Sequence, residues 1–454
     1  MHVFLEKCRR LSFSSIAFIA ISFSLAPARA QRPFFDSSRY NPAVLHVYFT
    51  PAEGRTTSGD ADAFLDITLI PASGAVEGFR AELSTTTFRE QLRKLYRQLS
   101  RQESLNVEDP SAPSRQLYEL IFGGLTDVLL REQITTLLIS ADRGLQAVPF
   151  AALSDGQRFF GERFAFAITP SLALIDFEMQ AVNQDRLLAL GASKFIGLAE
   201  LPLVPQEIRR IGDPRKKDYY LNQEFTFDAL LDKGGDARYD KVHIATHAEF
   251  KPGGPAASRL YSGVGPISMQ ELSRLRKKRQ GVPLDLVVLS ACRTALGDEA
   301  AELGFSGLAL QSGARSAIGT LWYVDDIATS AYFVLLYRYL EQGVPKANAM
   351  QLTRQAFLRG QVRLVGDQLL GPDDQPLLSE LTLPQQRRVS QGLENPFYWS
   401  GISLLGAPWC LPPDLFSIAC TFSLLFAVCL YFMLLLNLSV RLFFVIGNCN
   451  LILV

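Results

Sequence analysis

The run LDLVVLSACRTALG, residues 284–297, places a mainly apolar stretch (284–291) directly before a cysteine, Cys292. A short apolar run of this kind is typical of a strand buried on both faces of a parallel sheet. A second run, YDKVHIAT at 239–246, ends in the same way at His247. The two segments therefore predict two buried strands, each ending at a side chain capable of nucleophilic or acid–base chemistry.

Strand and helix patterns alternate through this second half of the chain. Further apolar runs at 187–193 and 314–322 predict strands, and the segments between or after the strands predict helices at 204–211, 269–279, 306–312 and 327–342. This alternation predicts an α/β fold with a mostly parallel sheet covered by helices on both faces. Loops at the carboxyl ends of such strands usually carry the functional side chains. His247 and Cys292 occupy that position.

The first half of the chain predicts another α/β unit. The runs 43–50 and 64–70 are short and β-rich and flank a turn-like segment, which indicates a hairpin. Apolar residues recur at helical spacing in 88–99. A second helix is expected at 115–130, and 134–140 has the pattern of a buried strand.

Composition excludes several classes of protein. The 454 residues carry 45 Lys+Arg against 45 Asp+Glu, a neutral balance that argues against a dedicated nucleic-acid binder. Hydrophobic residues at 48% and charged residues at 20% exclude a largely disordered chain. With four His and six scattered Cys, neither a zinc ribbon nor a disulfide-stapled scaffold is expected. The glycine motifs that bind phosphate groups of nucleotides are absent.

Residues 1–30 have the pattern of a signal peptide. A basic segment at 7–10 precedes an apolar stretch at 11–27, and Ala28 and Ala30 supply the small residues that a signal peptidase requires. Cleavage would make Gln31 the new N-terminus. The alternative interpretation is an uncleaved N-terminal anchor.

The C-terminal tail is more apolar still. No charged residue occurs from 415 to 440, and residues 415–436 are long and apolar enough to form a transmembrane helix. A tail translated from a shifted or alternative reading of the gene end is the competing interpretation. If both terminal signals hold, the globular part is exported to the periplasm or cell surface and tethered to the membrane at its C-terminal side. Only Cys292 and Cys410 then remain outside the leader and the tail.

His247 and Cys292 together predict a catalytic dyad. If their strands are neighbours, imidazole and thiol emerge side by side at one edge of the sheet. A nearby imidazole stabilises the thiolate, lowers the thiol pKa and can later protonate the leaving amine. The backbone N–H groups of Cys292 and Ala248 would be positioned to stabilise an oxyanion. Either residue alone would more often be an ordinary core residue.

Four motifs in order resemble the CHAT domain: HIATHAEF (243–250), VVLSACRTALG (287–297), GTLWYVDD (319–326) and NPFYWS (395–400). CHAT domains are caspase-like cysteine peptidase domains related to separase and are frequently joined to helical repeats in bacteria. The resemblance covers roughly 43–409. It implies a caspase-like three-layer sandwich at 186–410, preceded by a pseudo-caspase half at 33–185. It also implies that His247 is the general base and acid and that Cys292 is the nucleophile. Ala248 stands where many members have glycine.

Other polar residues have competing interpretations. Asp325 and Asp326 follow a predicted strand and could line a pocket for a basic P1 side chain, or form an acidic pair at a helix N-terminus. His243 and His247 lack a third ligand, so no metal site and no cofactor is expected. The basic run 274–279 is expected to be a solvated helix end, or a self-cleavage site if the enzyme prefers basic P1 residues.

Two functions follow from the sequence. The first is an exported, membrane-tethered cysteine endopeptidase that hydrolyses peptide bonds in a peptide or protein substrate. The second is a caspase-like protein-interaction scaffold whose dyad is dormant, because a reactive thiol outside the cytoplasm is prone to oxidation. A nucleic-acid partner is not expected in either case.

Overall fold

The computed structural model describes residues 40–53, 57, 59–142, 144–175, 185–249, 251, 256–290, 313–322 and 325–409. The chain divides into two compact units, Met1–Phe35 and Asp36–Val454. All described residues belong to the second unit, so the predicted leader (1–30), the predicted span (415–436), Cys292 and Cys410 lie outside the described residues. Among the described helices, none has both the length and the apolar character needed to cross a bilayer.

The described strands and helices follow the chain in this order. The strands are β1 (Pro42–Pro51), β2 (Ala63–Pro71), β3 (Glu77–Leu83), β4 (Thr136–Ala141), β5 (Ala165–Thr169), β6 (Leu187–Gly191), β7 (Lys217–Leu221), β8 (Lys241–Ala245), β9 (Ala248–Glu249), β10 (Arg259–Tyr261), β11 (Pro266–Ser268), β12 (Leu286–Ser290), β13 (Ser316–Thr320), β14 (Arg363–Val365), β15 (Gln368–Leu370), β16 (Pro376–Leu378) and β17 (Ile402–Gly406). The α-helices are α1 (Thr85–Ser100), α2 (Pro113–Phe122), α3 (Thr126–Arg131), α4 (Phe160–Arg163), α5 (Val204–Arg210), α6 (Phe227–Gly234), α7 (Ser273–Lys278), α8 (Asp326–Glu341), α9 (Lys346–Leu358) and α10 (Leu383–Val389).

One large sheet organises the described residues, with the order β3-β2-β1-β4-β5-β17-β13-β12-β8-β6-β7. Antiparallel pairing is confined, within this sheet, to β1–β2–β3 and to β17 against β13. The other neighbours are parallel. The predicted mostly parallel sheet is therefore confirmed, and the hairpin predicted from 43–50 and 64–70 is β1–β2.

Helices cover the sheet on both faces. Successive side chains of a strand point to opposite faces, and in β12 Leu286 and Val288 join one apolar cluster whereas Val287 and Leu289 join another. The first cluster includes side chains of α5, α8 and α9, and the second includes side chains of α6 and α7. This arrangement is the predicted three-layer sandwich. The boundary predicted between 33–185 and 186–410 stays a prediction, and the sheet continues across it through β5 and β17.

Two predicted helices differ from the observed elements. The helix predicted at 115–130 is interrupted by a 3-10 turn, Gly123–Leu125, between α2 and α3. Gly124 sits against Phe79, where an added Cβ would lie 2.6 Å from the phenyl ring, so local packing favours glycine. Glycine has low helix propensity, which favours a break at this point. The helix predicted at 269–279 is a 3-10 turn, Met269–Leu272, followed by α7. The helix predicted at 306–312 lies outside the described residues.

Candidate active site

The strands that precede His247 and Cys292 are parallel neighbours. Ala245, the last residue of β8, pairs with Ser290, the last residue of β12. Beyond the strand end, the Thr246 N–H donates to the Ser290 carbonyl at 3.1 Å. In the sequence, His247 lies two residues after Ala245, and Cys292 lies two residues after Ser290. Strands β8 and β12 thus end at the same edge of the sheet and at the same level.

The His247 imidazole is held by a backbone carbonyl. Its Nε2 lies 2.7 Å from the Ala199 oxygen, and because a carbonyl oxygen only accepts hydrogen bonds, Nε2 is the donor. The neutral ring therefore keeps its proton on Nε2 and its lone pair on Nδ1. The ring of Phe195 packs against the imidazole with centroids 4.7 Å apart. These two contacts fix both the tautomer and the orientation of the ring.

The loop that carries Ala199 and Phe195 follows β6 and is itself anchored. Ser193 donates to the Asn222 side-chain oxygen through both its N–H (2.8 Å) and its hydroxyl (3.0 Å). The Leu201 N–H closes the loop on the Ser193 carbonyl at 2.9 Å. Gly263 packs so closely on Asn222 that an added Cβ would lie 1.7 Å from the Asn222 carbonyl oxygen. The imidazole thus contacts a loop whose position is fixed by hydrogen bonds to Asn222, which itself packs against Gly263.

Ala248 begins a small antiparallel sheet directly after His247. It lies opposite Leu260 in the β9–β10 pair, and the Tyr261 N–H donates to the His247 carbonyl at 3.0 Å. In an antiparallel ladder this pattern makes Ala248–Leu260 a pair without mutual hydrogen bonds. The Ala248 N–H therefore faces away from β10. The role of this N–H as an oxyanion donor stays a prediction.

His243 occupies a different environment although it is four residues from His247. It lies within β8, is fully buried, and its Nε2 is 2.8 Å from Glu207 Oε1. The other oxygen of this carboxylate accepts from the Ser330 hydroxyl at 2.7 Å. The two histidines thus diverge, one into the interior layer and one beyond the strand end. Within the described residues, no group of three His, Cys, Asp or Glu side chains could hold a metal ion.

Asp325 and Asp326 lie at the N-terminus of α8. Asp325 is the N-cap, and its Oδ1 accepts from the backbone N–H groups of Ile327 (2.9 Å) and Ala328 (3.1 Å). Arg388 of α10 binds both carboxylates. Burial alone would lower the pKa of Arg388, but the two carboxylates raise it above its ordinary value. Of the two interpretations of the sequence, an acidic pair at a helix N-terminus matches the observed geometry. The role of Asp325 and Asp326 in a substrate pocket stays a prediction.

Sequence reasoning missed the partner of the imidazole. The group that holds His247 is the backbone carbonyl of Ala199, and a backbone carbonyl leaves no residue-type signature. The sequence holds one indirect signal: the segment 194–200 follows the predicted strand 187–193, and loops at the carboxyl ends of parallel strands lie at one edge of the sheet.

Comparison with known families identifies the family of this chain. The CHAT domain matches residues 111–407. The chain belongs to the CHAT domain family. The match confirms the family predicted from the four motifs, and the chain carries the caspase-like α/β fold expected of a CHAT domain.

Two solved structures have low similarity to this CHAT chain. The Saccharomyces cerevisiae separase–securin complex is 12% identical, with a TM-score of 0.43, over 82% of this chain and 30% of that chain. The Arg-specific cysteine proteinase gingipain R is 9% identical, with a TM-score of 0.37, over 66% of this chain and 68% of that chain. The CHAT chain thus spans less than a third of the separase chain. No curated protein matches the sequence.

Proposed function

We propose that this CHAT protein is a cysteine endopeptidase in which His247 and Cys292 form the catalytic dyad. The observation that carries the proposal is the register of β8 and β12, in which Ala245 lies opposite Ser290. Each dyad residue follows this pair by two positions in the sequence. Neighbouring parallel strands that end level with each other bring the following residues to one edge, within reach of a shared substrate.

The tautomer of His247 supports the direction of proton transfer. With Nε2 donating to Ala199, Nδ1 accepts the proton of the Cys292 thiol, and the thiolate attacks the substrate carbonyl carbon. The carbonyl oxygen becomes an oxyanion, to which the N–H groups of Ala248 and Cys292 donate. The intermediate collapses as His247 returns the proton to the leaving amine. Water, deprotonated by His247, then hydrolyses the thioester and restores the thiol.

The surroundings of the imidazole support a peptide or protein substrate. Ile196 and Leu198 lie on the same loop as Phe195 and Ala199, and their apolar side chains are exposed. Exposed apolar side chains beside a catalytic group provide contacts for the side chains of an extended peptide. Asp325 and Asp326 are the proposed acceptors for a basic P1 side chain, for which Arg388 would have to move aside.

The proposal includes the location of the enzyme. Residues 1–30 direct export, and residues 415–436 tether the globular part to the membrane, so the dyad works in the periplasm or at the cell surface. The supporting observations are the terminal sequence patterns.

The alternative function is a protein-interaction scaffold with a dormant dyad. The contact of Arg388 with both Asp325 and Asp326 favours this alternative, because it fills the acidic pair that a basic substrate residue would need. In the scaffold, the same exposed loop beside His247 would bind a partner without cleaving it.

The dyad is tested by peptide cleavage with the full-length chain. A fluorogenic library with varied P1 residues is expected to reveal turnover that is abolished in Cys292→Ala and in His247→Ala. The matched controls are Cys410→Ala and His46→Ala, because His46 is exposed on β1, outside the proposed site. Both control variants are expected to keep full activity.

Thiol labelling separates the enzyme from the scaffold. Near neutral pH, an activated Cys292 reacts with iodoacetamide faster than Cys410, and His247→Ala removes the difference, because the imidazole no longer stabilises the thiolate. Turnover that survives in Cys292→Ala would exclude the dyad. Absence of turnover together with equal, slow labelling of both cysteines would favour the scaffold.

A further inference from the structure

A cavity of about 630 Å³ lies on the first half of the chain, separate from the proposed dyad. One wall is a face of α1 that presents Gln91, Lys94 and Gln98, followed by the C-cap residue Arg101. These positions recur at helical spacing, so their side chains share one side of the helix. The opposite wall is the segment 103–116. The volume lies within the range typical of small-molecule sites.

Hydrogen bonds to neighbouring segments stabilise the wall of the cavity opposite α1. The Glu103 N–H donates to the Gln98 carbonyl at 3.0 Å, and the Asn395 side-chain amide donates to the Gln102 carbonyl at 2.9 Å. The Ser154 hydroxyl donates to the Val107 carbonyl at 3.0 Å. The wall opposite α1 is thus anchored at several points, so a ligand would not have to order it.

Two cations at the cavity have no ionic partner among the described residues. Lys94 and Arg97 both line it, and neither forms an ion pair there. The Arg101 guanidinium lies 3.7 Å from the Glu103 carboxylate, which compensates its charge. Asp109 accepts from the Ser111 N–H (2.8 Å) and hydroxyl (2.7 Å), and these bonds lower its pKa. The cavity therefore offers unpaired positive charge on α1 and an ionised acceptor on the opposite wall.

The remaining lining is rich in hydrogen-bonding groups. Gln91, Asn106 and Gln116 contribute amides, and no residue that lines the cavity is aromatic. The side-chain oxygen of Gln98 is shielded from solvent and has no hydrogen-bond partner within the described structure. The amides of Gln91, Asn106 and Gln116 are therefore the neutral groups that line the cavity and can form hydrogen bonds with a ligand.

We propose that this cavity binds a small phosphate monoester that carries hydroxyl groups, such as a sugar phosphate. Lys94 and Arg97 bind the phosphate, since Arg and Lys form strong charge-assisted hydrogen bonds with phosphate oxygens. The hydroxyl groups donate to Asp109 and form hydrogen bonds with the amides of Gln91, Asn106 and Gln116. The absence of aromatic lining disfavours ligands that bind by ring stacking. The site is independent of the proposed dyad and requires no peptidase activity.

Isothermal titration of the full-length chain with ribose 5-phosphate tests this site, with ribose and inorganic phosphate as the comparison ligands. Ribose 5-phosphate is expected to bind at low millimolar concentration or below, more tightly than either comparison ligand. Arg97→Gln is expected to weaken binding about tenfold, the effect of one charge-assisted hydrogen bond. The matched control is Arg93→Gln, because Arg93 is exposed on the same helix but does not line the cavity.

The outcomes distinguish specific binding in the cavity from nonspecific attraction of anions to the basic surface of α1. Weaker binding in Arg97→Gln and in Lys94→Gln, with Arg93→Gln unchanged, supports the cavity. Equal weakening in Arg93→Gln and Arg97→Gln would overturn the proposal in favour of diffuse attraction of anions to α1. Failure of the wild-type chain to bind ribose 5-phosphate would overturn it as well. Thermal unfolding of each variant verifies that the fold is retained.

Discussion

His243 shows how a buried polar residue stabilises the layer beneath the proposed dyad. Its ring contacts Phe333 and Tyr337 of α8, with centroids 5.3 Å and 5.5 Å away. Glu207 of α5 bridges this ring and the Ser330 hydroxyl. Burial, followed by the nearby Glu207 carboxylate, raises the pKa of Tyr337 well above its ordinary value, so this phenol stays neutral. The cluster ties β8, α5 and α8 together through polar contacts inside an apolar layer.

Replacing Glu207 by alanine is expected to destabilise the protein strongly. The change leaves the His243 ring and the Ser330 hydroxyl buried without their partner and opens a cavity, which together cost about 3 kcal/mol of unfolding free energy. Chemical denaturation measures the change. The control is Glu90→Ala at an exposed position of α1, where a loss within about 0.5 kcal/mol is expected. Equal stability of the two variants would contradict a stabilising role for the cluster.

The burial of Arg279 could not be predicted from the sequence. The basic run 274–279 was expected to be a solvated helix end, and Lys278 and Arg274 do bind exposed acids. Arg279 is instead buried, and its guanidinium donates to carbonyls that include those of Gly234 and Tyr239, each at 2.9 Å. These acceptors lie about 40 residues earlier in the chain. A local charge pattern cannot reveal acceptors that only the tertiary fold brings near.

The start of α8 combines a structural and a proposed binding role. Asp325 caps the helix, and its other oxygen binds Arg388. Aspartate and asparagine are about equally good N-caps. Asp325→Asn therefore removes the charge and leaves the cap in place, which separates the two roles.

In Asp325→Asn, kcat/KM for peptides with a basic P1 residue is expected to fall about tenfold or more. The reason is the loss of a carboxylate for the basic side chain, so peptides with a neutral P1 residue should be unaffected. The matched control is Asp373→Asn, which also removes a carboxylate paired with an arginine, Arg338 at 3.0 Å. An equal fall for both kinds of peptide would show that Asp325 acts only through the helix.

The elements that local pattern alone determines were predicted well. The strands β6, β8, β12 and β13 fall within the predicted runs because each is a short apolar stretch buried on both faces. Short 3-10 turns and the small β9–β10–β11 sheet were not predicted, since strands of two or three residues carry no periodic signal. The edge of the sheet that carries His247 could be predicted from the sequence. The hydrogen bond between its imidazole and the Ala199 carbonyl could not.

At the scale of the whole molecule, the two halves of the chain share one sheet. The strands β1 to β5 form one side of it, and β17 lies between β5 and β13. Helix α9 reinforces the junction, because Gln351 and Gln355 donate to the Glu162 carbonyl at 3.0 Å and 2.7 Å. The sequence indicated two α/β units but not their continuity. Strand order depends on long-range pairing, which hydropathy does not encode.

The proposed anchor is tested by fractionating cells that express the full-length chain. The protein is expected in the membrane fraction after a carbonate wash, and deletion of 415–454 is expected to release it. The described structure extends to Trp409, and the segment 410–414 can reach at most about 20 Å. The anchor would thus keep the globular part close to the bilayer. Recovery of the full-length chain in the soluble fraction would contradict the tether.

The position of β17 has a consequence for biosynthesis. Residues 402–406 are translated late, yet they occupy a central place between β5 and β13. Until they leave the ribosome, the nascent chain has two incomplete sheets, and β5 and β13 each present an unpaired edge. Completion of the full sheet therefore waits until β17 has been synthesised. A chaperone that shields these edges would protect the polypeptide from aggregation in that interval.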